Sequence, residues 1–497
     1  PDKTFVVWAP FEGSEQRWTY AEMARDAKRF AAGLHARGIG LGDFVLMHLD
    51  NSADFLTAWF GCAYLGAVPV TTNTRSVAEN VNYFAEVMQP ACAVTDPTYA
   101  KIVRDACGDA TPMIVSGDLN ADDAAALGAE SFATVFADGP IPEVSPDSER
   151  NFAVQFTSGT TSRPKPTVWT NANALWGGRS MAMNLRLRRE DVTLVYMPLF
   201  HANAQMTLFS ALWSGGTIVV HPRFSASRFW DTCAAHGVTW VSMIPFSFKA
   251  LKGRPVPKHK VRVMIGLARL PDAEKEFGVQ TMALWGMTET TTACIVTDAD
   301  HPGPAGTMGR PSPLYDIEVR RPDGSAAGPG EEGLLFIRGV RGVSLFKEYY
   351  KDPQKTAEAF DASGALETGD IVRIDEAGWM FFVNRDKDML RVGGENVAAL
   401  EIETAISETG LVMECAVVAQ KHYMLGDVPA AFVSLSDTGK KLSQEEVGKQ
   451  ILAHCREKLA DFKVPRSVHI VDDFPRSTLD RIAKNLLRDR LSPIESG

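Results

Sequence analysis

The stretch Phe156-Thr-Ser-Gly-Thr-Thr-Ser-Arg-Pro-Lys-Pro-Thr167 organises the reading of this chain, and six of its first seven residues are Ser, Thr or Gly. Small residues let a backbone approach an anion closely, so that its N–H groups can point at it. The hydroxyls add donors, and Arg163 and Lys165 add positive field. A polyphosphate is the natural guest. The run is not the P-loop pattern G-x-x-x-x-G-K-[ST], which is absent from the chain. Taken alone, the same residues would also make a polar surface loop.

Working outward, 497 residues exceed one compact core, so roughly two to four domains are expected. A hydrophobic content of 45% and a charged content of 23% are those of an ordinary soluble protein. A net charge of -10 argues against a nucleic-acid footprint but leaves room for a local basic site on a phosphorylated ligand. No apolar run has the length of a membrane span, and none reads as a signal peptide. The seven cysteines are scattered without a CxxC pair, which fits free thiols in a reducing cytoplasm.

Upstream, Thr19 and Glu22 form a capping box. Met23, Ala27, Phe30 and Leu34 follow at helical spacing, and Gly38 stops the helix. A strand is expected at Phe44 to Leu49. A second helix opens at Ser52, with Leu56, Trp59, Phe60 and Ala63 as its buried face, and a strand follows at Ala67 to Val70. This alternation predicts an α/β fold with a parallel sheet and helices on both sides up to about residue 290. No GxGxxG follows a strand, so a nicotinamide dehydrogenase has little support. Residues 302 to 343 are rich in Gly and Pro and read as a small β subdomain, with strands at Ile317 to Arg320 and Gly333 to Ile337. A smaller α/β unit follows from about residue 388. Its expected elements are a helix around Leu400, Ala405 and Ile406, strands at Cys415 to Ala419, Ala430 to Leu435 and Val468 to Val471, and a helix from Gln444 to Leu459.

Further segments carry chemistry. They are Trp285-Gly-Met-Thr-Glu-Thr290, Glu367-Thr-Gly-Asp370 with Arg385, Asn384-Arg-Asp-Lys387-Asp-Met-Leu-Arg391, Gly393-Gly394-Glu395-Asn396, and Met197-Pro-Leu-Phe-His201-Ala-Asn203. Alone, each has a bland reading: a helix start, a Gly turn, a structural histidine. In this order with Phe156 to Thr167, they resemble the adenylate-forming enzymes, the acyl-CoA synthetase superfamily. The likeness covers almost the whole chain and is nearest the bacterial branch of carnitine/crotonobetaine-type CoA ligases. A narrower similarity, to ligase-like enzymes of platensimycin-type diterpenoid pathways, would imply a bulky polycyclic acyl group.

The resemblance implies a large N-terminal domain of layered α/β subdomains plus a small β subdomain (1–385). A small mobile α/β C-terminal lid (386–497) would rotate about Lys387 between an adenylation and a thioester-forming pose. It implies that Thr157, Ser158, Gly159, Thr160, Thr161 and Lys165 hold phosphates. Trp285 would lie against the adenine beside Gly266 and Gly286. Thr288 would contact the α-phosphate, and Glu289 would hold Mg²⁺, a hard cation that favours carboxylate oxygen. Asp370 and Arg385 would reach the ribose, and Gly393 and Gly394 would line a tunnel for the CoA pantetheine arm. His201 falls where the family keeps an aromatic gate beside the acyl carboxylate.

The departures from the family pattern are as informative. In Phe474-Pro-Arg-Ser-Thr-Leu-Asp480-Arg481-Ile482, Arg481 stands where the family has its adenylation lysine and Asp480 where it has Gly. That lysine places a point charge between acyl carboxylate and α-phosphate. Arginine is bulkier and wants bidentate partners. Lys484 is not expected to substitute for it. In the phosphate loop, Ser162 replaces a Gly and Pro166 another, and a proline removes an N–H donor and restricts the residue before it. Gly266-Leu-Ala268 replaces Gly-Gly-Ala. These changes fall on adenylation, whereas the thioester-forming segments match the family. The leading expectation is therefore an enzyme that takes a preformed acyl-adenylate (acyl-AMP) of a small-molecule carboxylic acid and transfers its acyl group to CoA, with a separate adenylating enzyme as supplier. The alternatives are a complete ATP- and Mg²⁺-dependent acyl-CoA ligase, a non-catalytic nucleotide- or acyl-binding protein, and an adenylation domain loading a carrier on another chain.

Overall fold

The computed structural model of the protein describes residues 1–157, 164–385, 389–392, 395–423, 425–459, 461–476 and 482–494. Internal contacts group them into two compact units. One comprises Pro1–Thr157, Pro164–Ile317 and Ile337–Leu366; the other comprises Glu318–Phe336 and the described part of Glu367–Gly497.

The first unit is built on two large sheets. The nine-stranded sheet runs Arg310–Pro311, Ile295–Val296, Gln280–Trp285, Val263–Gly266, Trp240–Ser242, Val192–Val195, Thr217–Val220, Thr4–Trp8, Gln16–Thr19. Its six central strands are parallel and its outermost pairings antiparallel. The eight-stranded sheet runs Glu348–Tyr349, Lys165–Thr170, Asn151–Thr157, Val68–Thr71, Phe44–His48, Cys92–Thr95, Met113–Val115, Ala129–Ser131. Strands such as Val68–Thr71 and Thr217–Val220 are buried at every residue, as parallel strands covered on both faces must be.

Local signals act as the sequence indicates. Thr19 Oγ1 accepts the Glu22 N–H at 3.1 Å, and the Glu22 carboxylate accepts the Thr19 N–H at 2.8 Å, opening the helix Tyr20–Ala36. Gly38, at φ +82°, lets its own N–H and that of Ile39 return to the His35 and Leu34 carbonyls. Ser52 caps the helix Ala53–Leu65. The expected buried face of that helix needs correction. Leu56 and Trp59 are buried, but Phe60 is half-buried and Ala63 exposed, while Phe55, Ala58 and Cys62 go inside. Packing on more than one side buries more than a single stripe of the helix.

The second unit has two smaller sheets. The four-stranded one runs Asp316–Arg320, Glu332–Arg338, Leu366–Ile374, Met380–Arg385. The β subdomain expected over 302–343 thus supplies only half of this sheet, and its partners come from beyond residue 365. The other sheet pairs Glu395–Ala398, Met389–Val392, Gly426–Leu435 and Val412–His422 in that order, with Ser467–Ile470 alongside Gly426–Leu435. Alternate residues of its strands face opposite ways. Val417 and Val433 pack with Ile402 and Ile406 of the helix Ala399–Glu408 and with Val447 and Ile451 of the helix Gln444–Lys458. On the other face Ala416, Val418 and Phe432 pack with Phe474 and Leu487.

Candidate nucleotide and acyl site

In the first unit, the strands Asn151–Thr157 and Lys165–Thr170 pair antiparallel, with Phe156 opposite Pro166 and Thr157 opposite Lys165. Phe156 anchors this hairpin by packing on Phe84, with ring centroids 4.2 Å apart. The Thr157 hydroxyl donates to the Lys165 carbonyl at 3.4 Å. Lys165 is extended, as a residue before proline prefers, and the Pro166 carbonyl accepts the Tyr350 N–H at 2.8 Å. Ser158, Gly159, Thr160, Thr161, Ser162 and Arg163 lie outside the described residues.

Three parallel strands end at the same edge of the nine-stranded sheet: Gln280–Trp285 ends at Trp285, Val263–Gly266 at Gly266, and Val192–Val195 leads into Met197 to His201. Ligands of such sheets gather at the carboxyl ends of the strands. Trp285 is buried. Gly286 has no room for a side chain, since a Cβ there would come within 2.4 Å of the Thr292 carbonyl oxygen. The next residues, Thr288–Thr290, form one 3₁₀ turn held by the Trp169 indole N–H on the Thr288 carbonyl at 2.9 Å and the Phe346 N–H on the Glu289 carbonyl at 2.8 Å. Thr291 closes that turn at φ +59°, a costly conformation for a buried β-branched residue.

Glu289 is buried, and its Oε1 accepts the Tyr349 hydroxyl at 2.8 Å. Lys165 Nζ lies over the Tyr349 ring, 4.6 Å from its centroid. Burial and the adjacent Glu289 push the Tyr349 phenol far above its ordinary range, so it remains a donor. Glu289 makes no ion pair among the described residues. Nor do the described residues contain a group of three or more His, Cys, Asp or Glu that could hold a metal ion. A single carboxylate suits Mg²⁺ carried largely by substrate phosphates. Tyr349 escaped the sequence reading, because nothing in Lys347-Glu-Tyr349-Tyr350 signals a partner sixty positions upstream.

His201 occupies the N-cap position of the helix Ala202–Ser214. A buried amide network fixes the turn before it. Asn51 Nδ2 donates to the Met197 carbonyl at 3.0 Å, while its Oδ1 accepts the Leu199 N–H at 2.7 Å. Gln205 Nε2 donates to the Leu199 carbonyl at 3.1 Å and to Thr71 Oγ1 at 3.2 Å, and its Oε1 accepts from Gln155 Nε2 at 2.8 Å. Thr71 in turn donates to the Phe200 carbonyl at 3.1 Å. None of these amides was singled out from sequence; buried Asn and Gln carry no periodic mark.

In the second unit, Asp370 and Arg385 sit directly across from each other in the four-stranded sheet. Arg385 Nε lies 3.1 Å from Asp370 Oδ1, and Asp370 is buried. Gly369, at φ +71°, is a kink inside the strand Leu366–Ile374, where the sequence suggested turn chemistry. Lys484 Nζ pairs with Glu403 Oε1 at 2.7 Å. Arg476 bridges antiparallel to Ile482, flanking the segment that carries Arg481. Lys387, Gly393, Gly394 and Arg481 lie outside the described residues. No described helix is long and apolar enough to cross a membrane, and no disulfide joins any of the seven cysteines.

Comparison with known proteins fits this arrangement. A family model described as AMP-binding enzyme matches residues 1–350, and one described as AMP-binding enzyme C-terminal domain matches 401–480. The crotonobetaine/carnitine–CoA ligase of Salmonella heidelberg (strain SL476) is 33% identical over 512 residues, spanning 98% of this chain and 96% of the relative. The solved structure of ATP-bound MatB from Rhodopseudomonas palustris superposes with a TM-score of 0.83 at 25% identity, covering 98% of this chain and 96% of that one. The anthranilate CoA ligase AuaEII with anthranoyl-AMP reaches a TM-score of 0.86 at 22% identity, over 98% and 94% of the two chains, and shows the fold alone.

Proposed function

This chain belongs to the AMP-binding enzyme family, and from that premise we propose that it is an acid–thiol ligase-type enzyme specialised in one half-reaction, joining a preformed acyl-adenylate to CoA. The CoA sulfur attacks the acyl carbonyl and a C–S bond forms. The bond from acyl carbon to the AMP oxygen then breaks, AMP leaves with that electron pair, and the thiol proton passes to solvent. In this reading Trp285, Gly266 and Gly286 border the adenine, Thr288 meets the α-phosphate, and Asp370 and Arg385 turn their hydrogen bonds to the ribose. Residues 386–497 swing at Lys387 to bring Gly393 and Gly394 to the CoA arm. When ATP is bound, Mg²⁺ on Glu289 would neutralise phosphate charge.

The observation that carries the half-reaction is the placement of Lys484. With Arg481 in the lysine's position, Lys484 is the basic residue that follows it, and its ammonium is committed to Glu403 at 2.7 Å. Glu403 also accepts the Val417 N–H at 2.7 Å, so that pair is tied into the sheet. Pro166 adds to the argument by removing one backbone donor at the mouth of the phosphate hairpin. A separate adenylating enzyme would supply the acyl-AMP.

The second reading, a complete ATP-dependent acyl-CoA ligase, is favoured by the likeness to ATP-bound MatB. One experiment separates the two. Purified protein receives synthetic acyl-adenylates with CoA, and in parallel free acids with ATP, Mg²⁺ and CoA, while acyl-CoA is followed by mass. The acids range from small zwitterions, as for the carnitine-type relative, to bulky polycyclic ones. Product from adenylates alone supports the half-reaction; comparable product from acid and ATP overturns it. Arg481→Lys should raise acid-dependent product by about a hundredfold, the scale of one transition-state donor. No gain would assign the deficit to the phosphate loop.

A further inference from the structure

We propose that the second unit carries an oxyanion site, fitted to a phosphate group, in the cleft between the strand Val412–His422 and the short helix Lys484–Arg488. The cavity there holds about 160 Å³, well beyond the roughly 10–15 Å³ that one water needs by this measure. Residues 417 to 419 form its floor, and Lys421, Lys484 and Arg488 bring three cations to it against the single carboxylate of Asp427.

The three cations differ. Lys421 Nζ is 2.7 Å from Asp427 Oδ1 but remains 73% exposed, so it can swing. Lys484 is held by Glu403. Arg488 makes no side-chain hydrogen bond or ion pair among the described residues, and its Nε is shut off from solvent. Arg488 as a whole is half-buried, and a sequestered donor without a partner, as its Nε is, is rare in folded proteins and costly. Packing keeps it there: Leu487, next in the helix, is fully buried against Ala416, Val418 and Phe432. The lining is thus neutralised except at Arg488, whose planar fork matches an oxyanion. A carboxylate would engage Arg488 from one direction only. A tetrahedral phosphate also presents oxygens to Lys484, on the same helix, and to Lys421, on the facing strand. The site shares Lys484 with the reading above, but it rests on Arg488 and Lys421 and stands whichever way the half-reaction test falls.

Isothermal titration calorimetry on the full chain, at ionic strength held constant with sodium chloride, tests it. Inorganic phosphate, methyl phosphate, sulfate and acetate are the probes. Inorganic phosphate should bind saturably and more tightly than acetate. Binding of methyl phosphate as well would mean that the cleft reads a phosphomonoester on a larger molecule; phosphate without methyl phosphate would mean the free ion. Arg488→Gln should weaken binding by about tenfold, as loss of a charge-assisted hydrogen bond does. Lys421→Ala, at a largely exposed side chain that folding does not need, should weaken it about threefold. Lys165→Met, in the phosphate hairpin of the other unit, should leave the response in place. The proposal fails if phosphate binds no better than acetate, if Lys165→Met removes the response, or if Lys421→Ala and its charge-reversed counterpart Lys421→Glu both bind like the parent chain. The Lys421 variants decide the matter should Arg488→Gln not fold.

Discussion

Two buried carboxylates, one in each unit, are held in opposite ways. In the first unit, Glu289 accepts the hydroxyl of a neutral phenol, Tyr349, and makes no ion pair among the described residues. In the second, Arg385 Nε lies 3.1 Å from Asp370, and Arg476 donates to the half-buried Glu414 at 3.0 Å, so charge is cancelled where it arises. A carboxylate paired with a phenol is ready for a cation brought by a ligand. One paired with arginine must first exchange partners, which makes it a better reader of neutral hydroxyls than of charge. The difference matches the parts proposed for them, Mg²⁺ and phosphates on one side and a ribose on the other.

The sharpest way to break this contrast is Arg385→Ala. It removes the cation beside the buried Asp370 and should cost about 3 kcal/mol by urea denaturation, the low end for a broken buried pair because Arg385 is partly exposed. Replacing both residues with leucine should restore most of that loss; if it does not, the pair is not simply cancelling charge. Acid comes next. Burial holds His48 at about 4, below the ordinary 6.5 of an unfolded chain. Between those values the unfolded chain takes up a proton that the folded one refuses. Stability is therefore intact above pH 6.5 and falls as pH drops toward 4, by about 2 kcal/mol between pH 6.5 and 5 for this one histidine. His221, also near 4 through burial and the neighbouring His236 and Arg228, adds to it. Hydrogen exchange should show the first unit loosening with acid in this range, and His48→Gln should flatten the slope. Tyr349→Phe removes the neutral partner of Glu289 and should cost about 1.5 kcal/mol. A change near zero would mean that water replaces the phenol and that the contrast between the units is weaker than drawn. Lys165→Met gives the smallest effect, about 0.5 kcal/mol for a cation over an aromatic face, read as a shift in denaturation midpoint.

Local chemistry was legible in the sequence and distant chemistry was not. The Thr19–Glu22 capping box, the Ser52 cap and the helix Gln444–Lys458 follow from residues a few positions apart. The four-stranded sheet did not follow, because its halves lie on either side of the segment Gly339 to Ala365. Ala63 was misplaced because a helix covered on several sides has no single apolar stripe to read. Among the candidate residues of each unit, Glu289, Asp370 and Arg385 were singled out through the family's motifs. Tyr349, Asn51 and Gln205 were not, since each acts on a residue between 50 and 148 positions away.

One register of the nine-stranded sheet bears on how the chain comes into being. Val6 pairs with Ile218, so the strand Thr4–Trp8 waits for more than two hundred residues before its parallel neighbour exists. At roughly 5–20 residues per second of synthesis, that wait lasts about 10–40 s. Until then Thr4–Trp8 has only the hairpin partner Gln16–Thr19, and its other edge is open to any strand that drifts by. The Tyr349 hydroxyl arrives later still, when Glu348–Tyr349 closes onto Lys165–Thr170. On the ribosome, the pocket for Glu289 is therefore completed only after the sheet that carries it. Chains arrested before residue 217 should be cleaved by protease within residues 4–19, and chains arrested well past 220 should resist.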